Sequence, residues 1–241
     1  MYKILIPPGS PGGPALSTDG AAFCTEAPVA RTTAFVDGFN VYHALVAPNA
    51  SGQRPFAKYK WLDYRKLAEC YVRRGDALEA VYYFTAYAPW KSASGQAKRE
   101  RHHNLVAAQR ACGVRVVLGR FRPVEKVCLA QCRQTYSTYE EKRTDVNIAV
   151  TMVKLALLGS YEKAILISAD SDLVPALEAI RSVRPAIRMM VVAPIGRTAK
   201  ALFNAAHYRQ HMKLSHLKRS LLPPRVEVAG GPAIECPAEW R

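Results

Sequence analysis

"KAILISADSDL", residues 163 to 173, ends an apolar run on two aspartates, Asp170 and Asp172, set one residue apart. Like charges that close repel, so either a cation lies between them or both face water. The run is short and apolar on both faces, which predicts a strand buried in a sheet. The residues that follow, 172 to 183, predict a helix with Ser171 as a plausible N-cap and Pro175 tolerated in its first turn.

The same form recurs along the chain. "TTAFVDGF" (32 to 39), "LEAVYYFTAYAP" (78 to 89), "VRVVLGRF" (114 to 121) and "IRMMVVAP" (187 to 194) are further short strands. Helical periodicity fills 61 to 74, 96 to 111 and 144 to 158. Alternation of this kind predicts an α/β protein with a central, mostly parallel sheet of about five strands and helices on both faces. In such open sheets ligands bind beyond the carboxyl ends of the strands, where the strand order reverses. Asp37 ends the first strand and Asp170 the fourth, so if those strands are neighbours both acids project over one edge. In "EEKRTDVNIAVTMVKLALLG" (140 to 159) a helix capped by Thr144 carries Asp145 at the head of a stripe of Ile148, Ala149, Met152, Val153 and Ala156. Asp145 has two readings: an anion favoured by a helix N-terminus, or a member of a cluster. Four acids, Asp37, Asp145, Asp170 and Asp172, crowded into one mouth need a counter-ion. Mg²⁺, which takes a few carboxylates and keeps positions for phosphate oxygens, answers that need.

The bulk composition bounds the rest. The 241 residues are 49% hydrophobic, enough for a sizeable core, and carry a formal net charge of +15; the sequence pI is about 9.7. The charge is regional. Residues 91 to 126 hold nine Lys or Arg against two Glu, and 181 to 219 hold nine with no acid. Phosphate-tracking surfaces are basic in this way, and so are solvated helix faces. No secretory h-region precedes the Pro- and Gly-rich start. The longest apolar stretch is broken by Lys154, short of a membrane span. A cytoplasmic protein with no membrane contact is expected, its six cysteines mostly thiols. Residues 1–30 are expected to be a disordered leader, 31–217 the folded domain with an insertion at about 122–141, and 218–241 a flexible tail.

"FVDGFNVYH" (35 to 43), "EEKRTDVNIAV" (140 to 150) and "ILISADSDL" (165 to 173), in that order and at those intervals, resemble the NYN domain of the PIN-like nuclease superfamily, in its LabA-like group. The resemblance covers about residues 32 to 216. It implies a PIN-like three-layer fold and a Mg²⁺- or Mn²⁺-dependent ribonuclease centre that cuts RNA by water attack and leaves a 5′-phosphate. On it, Asp37, Asp145 and Asp170 would bind metal, Asp172 would be a further ligand or an outer acid, and Asn40 would orient the water or the scissile phosphate. Asn40 also reads as an ordinary turn or cap residue after Gly38. The LabA-like relation leaves a second function open, an RNA-binding or regulatory module with weak or no catalysis. Phosphatase and Toprim sites are disfavoured, because the first strand gives "DGFN" and supplies neither the DxD pair nor the glutamate those chemistries require.

Outside the motifs, Cys128 and Cys132 form a single CxxxC pair on the insertion. A structural Zn²⁺ site wants four ligands, usually two close pairs, so paired thiols are the favoured reading. Lys98, Arg99 and Arg101 in "KRERHHN", Lys142 beside the second motif and Trp90 past the second strand are candidates for RNA contact by charge and stacking. Ser168 and Ser171 read as capping residues or as partners of the acids, and a homo-oligomer is compatible with everything above.

Overall fold

The computed structural model describes residues 29–87, 89, 93–128 and 132–240. The expected leader lies almost wholly outside the described residues, and so does Trp90. The chain runs through β1 (Arg31–Asp37), α1 (Gly38–Val46), α2 (Tyr64–Glu69), β2 (Ala77–Thr85), α3 (Ala93–Ala111) and β3 (Arg115–Leu118). A hairpin of β4 (Arg120–Val127) and β5 (Thr135–Lys142) leads to α4 (Thr144–Leu157). There follow β6 (Lys163–Ile167), α5 (Val174–Val183), β7 (Arg188–Ala193), α6 (Lys200–Ala205), β8 (Tyr208–His211) and α7 (Leu214–Arg219). A small hairpin of β9 (Arg225–Val226) and β10 (Ile234–Glu235) comes last.

Six strands form one parallel sheet in the order β3-β2-β1-β6-β7-β8. Strands apolar on both faces need cover on both, and alternation along β1 shows how they obtain it. Ala34 and Val36 face a core shared with Val41 and Leu45 of α1, Leu67 of α2, Val106 of α3 and Leu217 of α7. Phe35 faces the opposite core with Ile148, Met152 and Ala156 of α4, Leu177 and Ile180 of α5 and Leu202 of α6. The expected α/β, PIN-like three-layer architecture is therefore present. Strand order proceeds outward from β1 to β3, then returns to lay β6 on the other side of β1, so the switch point falls between β1 and β6.

Several local expectations are corrected. A sixth strand, β8, escaped the pattern because "YRQH" is polar and mostly exposed. The expected strand 114–121 divides at Gly119, whose N–H donates to the Thr85 carbonyl at 2.7 Å while β4 turns away into the hairpin. A Cβ at Gly119 would lie 2.6 Å from Thr144 Oγ. Helix α1, begun by the Asp37 cap, went unforeseen, and the expected helix 61–74 shrinks to α2, capped by Asp63. Thr144 is inside α4; the capping position is Arg143, at a left-handed φ of 81°. Asp170, not Ser171, caps the short 3-10 turn Ser171–Leu173 that precedes α5, while Pro175 sits in the first turn of α5 as expected.

The expected flexible tail is packed. Leu222, Val226 and Cys236 join Trp61 and the α3 residues Leu105 and Ala108 in a third apolar cluster. Backbone bonds from Asp63 to Ser220 (2.7 Å) and from Leu222 to Trp61 (3.0 Å), and the Trp61 indole N–H on the Pro223 carbonyl (2.8 Å), fasten the segment. Its apolar residues are scattered among Pro and Gly, which hid the burial from a periodicity reading. Leu222→Ala should cost about 2 kcal/mol or more in chemical denaturation, the usual range for a buried leucine; an unchanged midpoint would mean that this segment is not part of the cooperative fold.

Candidate metal centre

β1 and β6 pair in parallel as far as Val36 opposite Ile167, so Asp37 and the Ser168-Ala169-Asp170 turn emerge side by side at the carboxyl edge of the sheet. Asp37 is nearly inaccessible and serves two neighbours: Oδ1 accepts the Asn40 N–H at 3.0 Å, and Oδ2 accepts the Ser168 hydroxyl at 2.8 Å. Ser168 in turn accepts the Asp170 N–H at 3.1 Å. The Asn40 side-chain oxygen accepts the Ala169 N–H at 3.2 Å, tying α1 to the same turn. α1 can lie this close because Gly38 has no side chain: a Cβ there would overlap the Tyr83 ring and sit 2.6 Å from the Phe84 carbonyl.

α4 brings Asp145 from the opposite face. Carboxylate oxygens of Asp37, Asp145 and Asp170 all lie within 4.8 Å of one another, and this is the one grouping of three or more potential metal ligands among the described residues. A Mg²⁺ ion with bonds of about 2.1 Å holds its ligands roughly 3 to 4 Å apart, so small side-chain rotations bring the three acids onto one ion. The donor set, all carboxylate oxygen, fits a hard divalent cation. Asp172 is exposed on the 3-10 turn and stands outside the trio.

The electrostatics agree with the geometry. Burial pushes the Asp37 carboxyl up, opposed by its bonds from Asn40 and Ser168, while Asp170 and Glu141 add to the rise. Asp145 is pushed up to about 6, first by burial and then by the charges of Asp170, Asp37, Glu141 and Asp172. Glu141 is the acid that sequence reading passed over. On β5 it stands opposite Phe121, whose ring meets Phe39 of α1 edge-on at 5.8 Å, and it accepts both the N–H and the hydroxyl of Thr144. The signal was its place next to the turn into α4, in a strand where alternate residues face one way. Lys142, by the same alternation, pairs with Glu140 at 3.2 Å, and Glu140 also pairs with Lys126 at 2.7 Å.

The remaining candidates are dispersed. Lys98 and Arg99 are exposed on α3, and Arg101 is held by Glu239 at 2.7 Å. Ser171 is exposed, whereas Ser168 is buried and partners Asp37, the second of the two readings the sequence left for it. Cys128 and Cys132 meet near the hairpin tip. The Cys132 thiol is lowered from its ordinary value by a backbone hydrogen bond from Gln134 and then by the Cys128 thiol. Among the described residues no third potential ligand groups with the two cysteines. No helix among them is long and apolar enough to cross a membrane.

Asp145 supplies a pH test. Its folded-state value, about 6, lies above the ordinary 3.8. The folded chain therefore holds this proton more tightly than the unfolded one, and the associated stability is lost as pH rises through about 6. In chelator, Asp145→Asn should raise the thermal midpoint at pH 8 and leave it nearly unchanged at pH 4; equal midpoints at pH 8 would contradict the crowding.

Comparison with known proteins places these features in a family. Along an alignment 246 positions long, gaps included, which covers 87% of this chain and 75% of the relative, the chain is 26% identical to 6-hydroxy-3-succinoylpyridine 3-monooxygenase HspA of Pseudomonas putida. Its fold is similar to the crystal structure of a protein of unknown function from Vibrio parahaemolyticus, with a TM-score of 0.50 and 18% identity, covering 80% of this chain and 97% of that one. The family model for the NYN domain matches residues 31–213, which takes in every strand of the parallel sheet and all three aspartates of the centre. The chain belongs to the NYN domain family, a PIN-like nuclease domain.

Proposed function

We propose that the chain is a Mg²⁺- or Mn²⁺-dependent ribonuclease. The observation that carries this reading is the convergence of Asp37, Asp145 and Asp170 from three separate elements onto the switch point of a nuclease-family sheet. Those three acids would hold the ion, with Asp172 and Glu141 as outer acids. Bound there, the cation supplies charge neutralisation for a phosphodiester transition state and lowers the pKa of the attacking water. Ser168 fixes the orientation of Asp37, as partners of metal-ligating carboxylates do. Asn40 holds the β6 turn by its side-chain oxygen and stands beside the centre to meet the water or a phosphate oxygen. In the reaction water attacks phosphorus, the bond to the 3′ oxygen breaks, and a 5′-phosphate and a 3′-hydroxyl result. The net charge of +15 supports a polyanionic substrate.

The name of the Pseudomonas relative points to oxygenation of a small pyridine. A centre of three carboxylates, without histidine or thiolate, suits Mg²⁺ or Mn²⁺ better than the iron or copper of many oxygenases, and this favours hydrolysis.

Calorimetric titration should show Mn²⁺ binding to the wild type, none to Asp37→Asn, and affinity about tenfold lower in Ser168→Ala. Asp37→Asn and Asp170→Asn should each cut Mn²⁺-dependent RNA cleavage by about a hundredfold or more, with the thermal transition retained. RNA binding that persists in EDTA, with no cleavage by the wild type, would favour the regulatory reading.

A further inference from the structure

A second site lies away from the aspartates, where the C-terminal segment meets the family domain. Lys58, Tyr59, Trp61, Lys218, Leu221 and Trp240 are among the residues bounding an open groove of about 730 Å³, the size of sites that take small-molecule-sized ligands. Tyr59 and Trp61 are almost fully buried and make its floor; Trp240, half-buried, leans toward Trp61 with ring centres 6.2 Å apart. Lys218, Leu221 and Trp240 all fall after residue 213, where the family match ends, so the groove is built in part by residues beyond the matched domain.

Its charge is one-sided. Lys58 and Lys218 are exposed at the rim, and no acid is among the residues lining it. Lys60 lies over the Trp240 ring at 5.2 Å, and its ammonium is held below the ordinary value by burial and then by the charge of Arg101, with Arg54 adding to the effect. Glu239 alone opposes this, and it is engaged by Arg101 at 2.7 Å. Cations gathered with no acid lining the groove suit an anion from outside. Aromatic rings at the bottom of such a groove suit flat, apolar faces. Phosphates beside unstacked bases combine both features, and a duplex, whose bases are hidden, does not.

We propose that this groove binds a single-stranded segment of RNA, with Lys58 and Lys218 on its phosphates and a base against Trp240, the half-buried ring that Trp61 backs. The proposal rests on the reading of the chain as an RNA-acting protein and adds to it a subsite distinct from the aspartate centre. C-terminal packing is what makes the groove: the Trp61 indole bond to the Pro223 carbonyl and the Arg101–Glu239 pair hold its two walls together.

The test is fluorescence anisotropy of a labelled oligouridine in EDTA, comparing wild type with the double variant Lys58→Ala/Lys218→Ala over a range of salt concentrations. The variant should bind about tenfold more weakly near 0.1 M salt, with a salt slope shallower by roughly 1.4, the share of two phosphate contacts on a single strand. RNA should also quench tryptophan emission in the wild type. Both lysines are exposed, so the thermal midpoint and Mn²⁺ titration of the variant should match the wild type. Unchanged affinity and slope in the variant would overturn the groove, as would no binding by the wild type, or competition by polyglutamate as effective as by RNA. Cleavage assays with Mn²⁺ on Asp37→Asn test the aspartate centre separately, so either reading can fail without the other.

Discussion

Parallel pairing of β1 with β6 is the constraint on which the rest depends. It places Asp37 one residue beyond Val36, opposite the turn that begins after Ile167, and so sets two acids at the same sheet edge. Hydrogen bonds then fix what pairing brings near: the Ser168 hydroxyl on Asp37, the Asp170 N–H on Ser168, and the Ala169 N–H on Asn40. Without a cation the arrangement is electrostatically costly, as the raised carboxyls of Asp37 and Asp145 record. Buried carboxyls raised by like-charged neighbours are a mark of candidate functional sites.

Two close approaches make the geometry feasible. Gly38 lets α1 start directly against the Tyr83 ring, which fixes Asp37 as a helix cap as well as a member of the trio. Gly119 lets the entry to the hairpin pass against Thr144 and Glu141, so that the base of an otherwise exposed two-stranded arm is anchored beside the centre. An isolated hairpin is marginal on its own, and the Phe121–Phe39 contact supplies part of its support. The arm thus delivers Glu141 to the aspartates and carries Cys128 and Cys132 outward.

The C-terminal segment extends the family architecture. By covering Trp61, Leu105 and Ala108 it completes the apolar contacts of α3, and in doing so creates a basic, aromatic-floored groove beside the domain. Stability and surface chemistry are coupled there, because the contacts that hold the segment also shape the groove.

By itself the sequence determined the layers and the three motifs. Alternating short apolar runs and helical periods report burial on both faces of a sheet, and acids placed just after such runs are visible because strand ends are local features. Asp37 and Asp170 were legible for that reason, and Asp145 from its place at the head of a helical apolar stripe. Only the tertiary structure decided which strands are neighbours, since pairing β1 with β6 joins residues more than a hundred apart and leaves no local trace. The same holds for Glu141, drawn in by hairpin alternation and the Phe121–Phe39 contact; for Asp172, turned outward by a 3-10 turn; and for the C-terminal segment, whose scattered apolar residues acquire a common side only once Trp61 and α3 provide the surface they cover. Periodicity reports which face of an element is buried, and long-range packing alone decides what lies against it.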